Sequence, residues 1–182
     1  QESGDDPQIL ADLVSGYRRV GMVQYFAGQA NLGDSKGALE SYRKSLQIAQ
    51  RWREIAPNNR DALDAIANGY YYIADAYQGM SDYEASIEAA RQAQKIWQSM
   101  LEQNPSDDRS LRHLANSWQE LATCYSMLGR FEPALEANQQ FLKLRQEYAA
   151  RHPDDTAAKR GVAAAHDGLG SVVQGVGRFD QA

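Results

Sequence analysis

Three prolines, Pro57, Pro105 and Pro153, stand 48 residues apart, and the residues between them recur at the same step. Tyr77 and Tyr125, for example, occupy equivalent positions in successive copies. A chain with this internal repetition folds by stacking copies of one unit, and it buries its core between neighbouring copies instead of inside a closed globule.

The spacing of apolar residues predicts two amphipathic helices in each copy. Apolar residues fall three or four apart at positions 70, 73, 74 and 77, and again at 87, 90, 93 and 97, which is the stripe of a helix with one buried face. Gly129 and Gly177 are expected to end the first helix of their copies, because glycine adopts the left-handed conformation at little cost. Polar residues just after the prolines, such as Asp107 and Asp155, are expected to cap the next helix. No segment alternates with period two, so the sequence predicts an all-α fold.

The third copy carries a set of residues that resembles the tetratricopeptide repeat signature. The set is Trp118, Leu121, Ala122, Tyr125, Gly129, Phe131, Ala134 and Leu135. The resemblance implies a right-handed α-solenoid of antiparallel helix pairs, with about seven long helices in this chain. HEAT repeats have a nearer period of roughly 40 to 47 residues, but they do not account for the small residues at Ala74, Ala122 and Gly170.

The copies predict a single array over residues 1–182. The first copy is about 7–56 with an insertion near 25–29, the second about 57–104, the third about 105–152, and a half copy about 153–182. The common tetratricopeptide unit has about 34 residues, and the extra length is close to two turns on each helix. Both helices of a copy should therefore reach roughly 20 residues.

The insertion in the first copy contains the adjacent aromatic residues Tyr25 and Phe26. Adjacent aromatic residues in a loop need a surface to cover. We favour the interpretation that they pack on the first helix pair. The alternative is that they form a contact for a partner beside the concave groove that the resemblance implies.

Composition and charge limit the classes of partner. The chain has 19 basic and 24 acidic side chains and a net charge of −5, which is the wrong sign for offsetting phosphate charge, so we expect no nucleic-acid partner. No apolar run reaches 18 residues, so we expect no membrane span in this chain. The single Cys124 does not identify the compartment.

No residue pattern indicates catalysis or a cofactor. The histidines His113, His152 and His166 do not combine with Cys124 or with carboxylates at metal-ligand spacing. No nucleophile lies in a strand-turn-helix or glycine-rich context. We therefore expect no catalytic residue, no metal and no cofactor. His166 is equivalent to Tyr70 and is expected to pack in the core.

The resemblance implies a concave groove, lined by the first helix of each copy, that holds a peptide or a partner helix. The candidate groove residues are Arg18, Met22, Tyr25, Asn68, Tyr71, Asp75, Gln78, Asn116, Gln119, Thr123, Ser126, Asp167, Ser171 and Gln174. Asn68 and Asn116 are equivalent, and carboxamides can pair with a peptide backbone; a solvated polar face is the other interpretation. The set contains no lysine, which disfavours a ligand gripped mainly by a terminal carboxylate, whereas Tyr71 suits stacking.

A narrower resemblance concerns the protein to which this chain belongs. Residues 17–24, 30–34 and 37–46 resemble repeats that follow the catalytic domain of bacterial serine/threonine protein kinases. The resemblance implies a soluble fragment of a larger bacterial signalling protein, on the cytoplasmic or extracytoplasmic side of a membrane-anchored host. We expect a protein-protein interaction scaffold. The alternative is a sensory ligand-binding domain of a receptor-type serine/threonine kinase.

The fourth copy is expected to end in the first turn of its second helix. Val173, Val176 and Phe179 are therefore expected to lack a covering neighbour, because solenoids normally finish with a polar cap. We expect this open C-terminal edge to associate with another copy of the chain at high concentration.

Overall fold

The structure is a computed structural model that describes residues 6–179, with side chains described as far as Gly175, and this part of the chain contains helices and loops without strands. The helices are α1 (Pro7–Gln24), α2 (Ser35–Ile55), α3 (Arg60–Gly79), α4 (Tyr83–Gln103), α5 (Asp108–Met127), α6 (Phe131–Arg151) and α7 (Thr156–Phe179). Helices α2 to α6 each have 20 or 21 residues. The predicted all-α helical-repeat class with seven long helices is confirmed for the described residues.

The helices begin where the sequence places capping residues after the prolines. Asn59, Asp107 and Asp155 accept hydrogen bonds from backbone N–H groups of the next helix at 3.1, 3.2 and 2.7 Å. These side chains satisfy N–H groups that have no partner inside a helix. The repeated proline therefore marks a repeated helix start.

The turn after α5 and its equivalent after α3 share one backbone conformation. Gly129 has φ of 69° and Ser81 has φ of 60°. In each turn the following N–H bonds back to a tyrosine carbonyl, at 2.8 Å for Tyr125 and 3.0 Å for Tyr77, and so closes the helix end. The prediction that Gly177 ends a helix is wrong, because α7 continues past it; glycine permits a helix end but does not require one.

Two compact units divide the chain, Gln1–Ile96 and Trp97–Ala182. In the first unit α1 packs on α2 and α2 packs on α3. Pairing of α1 with α2 is antiparallel, because Ser45 donates to Val14 in the middle of α1, while Ser41, earlier in α2, donates to Gln24, the last residue of α1. The division of the sequence into three and a half copies stays a prediction.

The second unit repeats this arrangement with α5 on α6 and α6 on α7. Asn116 meets Arg145 and Asp108 meets Arg151, so α5 and α6 run antiparallel. One buried core cluster of this unit contains Ala115, Phe141 and Ala165. Within residues 6–179, no helix combines the length and apolarity needed to cross a membrane.

Candidate functional site

The groove residues predicted for the first unit lie on α1 and α3, apart from Tyr25, which directly follows α1. Those that are partly buried are Arg18, Met22, Tyr25, Asn68, Tyr71 and Gln78. Asp75 is different, because its side chain is buried and the residue is only 3% exposed. The fold therefore encloses one residue that the sequence assigned to an open groove.

Three aromatic rings pack together in the first unit and form what we name the aromatic plug: Phe26, Tyr42 and Tyr72. The rings of Tyr42 and Tyr72 stack with centroids 5.1 Å apart, and Phe26 meets Tyr72 edge-on at 5.4 Å, as aromatic pairs prefer. Tyr42 is fully buried, and its hydroxyl donates to the carbonyl oxygen of Tyr25 at 2.8 Å. Arg18 donates to the hydroxyl of Tyr72 at 3.4 Å. The plug ties the insertion to α2 and α3.

Tyr25 packs against the end of α3 at Gly79. A Cβ atom at Gly79 would lie 2.6 Å from Cε1 of Tyr25, so the missing side chain makes room for the ring. Both aromatic residues of the insertion therefore contact the first unit itself. This placement supports the packing interpretation of the insertion.

The buried carboxylate of Asp75 holds the inserted segment through the backbone. Its two oxygens accept from the N–H of Ala27 at 3.4 and 3.2 Å. Burial raises the pKa of Asp75 to about 6, although the hydrogen bond from Ala27 opposes the rise. Burial, with nearby Asp75 and Tyr72, also raises the pKa of the Tyr42 hydroxyl. A negative charge at Asp75 is therefore costly near neutral pH.

Titration of Asp75 should destabilise the fold as the pH rises from 4 to 7.5. The folded-state pKa lies above the ordinary value of about 3.9, so the native state holds a proton that the unfolded chain has already lost, and raising the pH favours unfolding. Asp75→Asn keeps an acceptor for Ala27 but removes the titration. The free energy of unfolding of the variant minus that of the wild type, from urea denaturation, should increase by about 2 kcal/mol over this range. A difference that does not change with pH would contradict the assignment.

The second unit contains an open pocket of about 260 Å³ between α5, α6 and α7. Its lining is Gln119, Ala122, Thr123, Ser126, Met127, Phe131, Asn138, Phe141, Ala164, Gly168, Ser171 and Val172. Four predicted groove residues, Gln119, Thr123, Ser126 and Ser171, are in this set. Asp167 and Gln174 are exposed on α7 outside it. The fold thus brings only part of the predicted groove together.

The hydroxyl groups of this lining donate their hydrogen bonds within their own helices. Thr123, Ser126 and Ser171 donate to the carbonyl oxygens four residues earlier at 3.1, 2.8 and 2.9 Å. Each hydroxyl oxygen keeps lone pairs that can accept a further hydrogen bond. Among the described lining residues none is charged, so the pocket offers an apolar surface with hydrogen-bond acceptors.

By the predicted 48-residue step, the pocket corresponds to the position of the aromatic plug. Asn138 and Gly168 stand 96 residues after Tyr42 and Tyr72, which is two repeat steps. Asn138 lies against Gly168, where a Cβ atom would come 2.5 Å from its Oδ1, just as Tyr42 lies against Tyr72. Smaller residues at both positions leave the space that forms the pocket. The groove residues predicted from the sequence include neither Asn138 nor Gly168. The replacement of two tyrosines by these smaller residues at equivalent positions could have indicated an open space.

The carboxamides of Asn68 and Asn116 are both engaged inside their own units. Asn68 donates to the carbonyl and the carboxylate of Asp64 at 2.8 and 2.9 Å. Asn116 accepts from Arg145 at 2.6 Å and lines a separate pocket of about 190 Å³. A peptide backbone would therefore have to compete with existing partners at these two residues.

An ion cluster that the repeat did not indicate joins the start of α5 to the end of α6. Arg151 donates to Asp108 at 3.0 Å and to the carbonyl of Pro105 at 2.9 Å, and His152 Nε2 lies 2.6 Å from Asp108. Desolvation alone would raise the pKa of Asp108. The hydrogen bonds from Arg151 and His152 together lower it by more, so the net shift of the pKa is downward. Such partly exposed pairs add little stability.

The prediction that His166 packs in the core is wrong. His166 is exposed, because α7 buries Ala158, Ala165 and Val172 and His166 lies off that stripe. Within residues 6–179, no group of three or more side chains is placed to hold a metal ion.

Comparison with known proteins gives one family match. Residues 67–96, in α3 and α4, match the family model described as tetratricopeptide repeat. No curated protein matches the chain.

Several solved structures resemble the chain. BtubC (BKLC) from P. vanneervenii is 16% identical with a TM-score of 0.43, over 97% of this chain and 85% of that one. A protein described as a kinesin light chain with nearly identical TPR-like repeats, from Podosopora anserina, is 18% identical with a TM-score of 0.46, over 100% and 95%. MamA protein is 19% identical with a TM-score of 0.33, over 93% and 90%.

Proposed function

We propose that this chain, which contains a tetratricopeptide repeat at residues 67–96, is an interaction scaffold that binds a peptide or a partner helix. The observation that carries the proposal is the open pocket of the second unit, which joins four predicted groove residues to a buried apolar floor. Pockets with an apolar lining and a few placed polar groups are the usual form of a recognition site. The binding function is non-catalytic.

The chemistry of the pocket favours a protein ligand. Gln119 and Thr123 are exposed at its edge, and Phe141 and Val172 are buried at its floor. A peptide supplies both apolar side chains for such a floor and N–H donors for the hydroxyl oxygens. A net charge of −5 disfavours a nucleic acid as partner, because phosphates would be repelled.

Peptide selection tests the proposal. Peptides selected from a random displayed library against the whole chain should bind the wild type and should lose at least about tenfold in affinity with Thr123→Arg. The reason is that the arginine side chain would cover the pocket from its exposed rim on α5. Gln139→Arg is the matched control, since it makes the same charge change at an exposed position of α6 outside the lining. Recovery of no binding peptide, or equal weakening of binding by both variants, would show that the second-unit pocket is not the binding site.

The second candidate function is a sensory ligand-binding domain of a receptor-type serine/threonine kinase within a larger bacterial signalling protein. The pocket volume of about 260 Å³ suits one ring-sized molecule and is the observation that favours it. A small molecule whose stabilising effect in a thermal-shift assay disappears in Thr123→Arg would support this function. A full-length gene without a kinase domain would refute it.

Self-association through α7 also stays a prediction. Val173 is 58% exposed, whereas the side chains of Val176 and Phe179 lie outside the described residues. An exposed valine on the last helix is compatible with a contact between copies. Sedimentation as a monomer at every concentration would rule the contact out.

A further inference from the structure

The first unit shows which chemistry fills this type of site. There Phe26, from the inserted segment, packs its ring on Tyr72, and the next residue, Ala27, donates its N–H to Asp75. The segment thus combines an aromatic ring with a backbone N–H from the following residue. The segment turns after Phe26, where the N–H of Gln29 donates to the carbonyl oxygen of Phe26 at 3.3 Å, so a bound peptide with a similar turn would present the same two groups.

In the second unit the described residues leave the corresponding site open. Ser171 stands 96 residues after Asp75, as Gly168 stands after Tyr72. The Ser171 hydroxyl donates within α7 at 2.9 Å and can accept an N–H, as the Asp75 carboxylate does in the first unit. The acceptor position is therefore retained in the second unit, while the aromatic residues beside it are replaced.

The volume and the charge of the pocket agree with an aromatic anchor. An apolar cavity of about 150 Å³ is enough to hold a benzene ring, and this pocket measures about 260 Å³. Phe131 and Phe141 line it and can meet an incoming ring edge-on. Its uncharged, acceptor-bearing wall complements backbone N–H donors and offers no cationic side chain to an anionic residue.

We propose that the second-unit pocket binds the side chain of a Phe or Tyr in a peptide segment, with the N–H of the following residue donating to Ser171. This inference rests on the proposed scaffold function and specifies its ligand. The partner is a protein segment with an exposed aromatic residue followed by a small residue, the arrangement that Phe26 and Ala27 show in the first unit.

The probe is a labelled synthetic peptide with the sequence of residues 23–32 in which Tyr25→Ser leaves Phe26 as its one aromatic ring, titrated with the whole chain by fluorescence anisotropy. Changing the peptide phenylalanine equivalent to Phe26 to alanine should weaken binding at least about tenfold, because the buried ring is lost. Ala164→Phe in the protein should weaken it by a similar factor, since Ala164 lines the pocket and the added ring would fill it. Ala163→Phe is the matched control, at an exposed neighbour outside the lining, and should keep the wild-type affinity within about twofold.

Three results of the peptide titration would overturn the inference. They are binding that tolerates loss of the peptide ring, binding that tolerates Ala164→Phe, and no binding up to about 1 mM peptide, where the binding free energy is only about −4 kcal/mol. Dimerisation of the chain that Ala164→Phe abolishes, without peptide binding, would assign the pocket to a second copy and also overturn it. Random-library peptides that bind the groove without a shared aromatic residue would overturn this inference and leave the scaffold function intact. Thermal melts of both variants check that each remains folded.

Discussion

Tyr42→Ala should lower the free energy of unfolding by about 3–5 kcal/mol. The Tyr42 ring is fully buried, stacks on Tyr72, and donates its hydroxyl to the carbonyl of Tyr25. Truncation removes the ring from the centre of the aromatic plug, and the surrounding helices cannot close the cavity completely. Urea denaturation followed by circular dichroism measures the loss.

The control variant is Tyr42→Phe, which keeps the ring and removes only the hydroxyl. It should cost about 1 kcal/mol, the usual net value of one hydrogen bond. Equal losses in the two variants would mean that the bond to Tyr25, and not ring packing, holds the plug together.

Gly21→Ala should destabilise the fold by about 1–3 kcal/mol, although alanine is the better helix former by about 1 kcal/mol. A Cβ atom at Gly21 would lie 2.6 Å from Cδ1 and 2.8 Å from Cζ of Tyr42. The ring has no room to move, because it is buried and stacked on Tyr72. Overpacking should therefore outweigh the gain in helix propensity.

Gly16→Ala is the matched control in the same helix. Gly16 is exposed, and nothing lies within 4 Å of the position that its Cβ atom would take. It should stabilise the fold by about 0.5–1 kcal/mol through propensity alone. Thermal melts of the two variants should shift in opposite directions, and a shift of the same sign would show that Tyr42 yields to the added methyl group.

The helix framework could be predicted because it depends on local signals that recur. The residues two positions after Pro57, Pro105 and Pro153 all cap helices, and the three- or four-residue spacing of apolar side chains marked the buried faces. Gly177 was misjudged because a glycine alone does not end a helix. The turn at Gly129 also has the closing hydrogen bond to Tyr125.

The site was predicted less well, because it depends on which side chains meet across helices. Spacing placed Asp75 between core positions, yet the inserted segment folds back and buries it under Ala27. The same spacing selected Thr123 and Ser171, which line the open pocket of the second unit, and their part in binding stays a prediction. It could not show that Asn138 and Gly168 would leave a pocket, because the volume depends on the pair and not on either residue alone.

A peptide anchored by one ring in the proposed way would occupy the second-unit pocket and not the equivalent site of the first unit, because the aromatic plug already fills that site. Repeats with identical open sites let an extended ligand bind in several overlapping positions, and each position is populated. Because the second-unit pocket is the open one of these two sites, a peptide bound there in the proposed way would have one register with respect to them. The insertion at 25–29 would in this way decide how a ligand is aligned without contacting it.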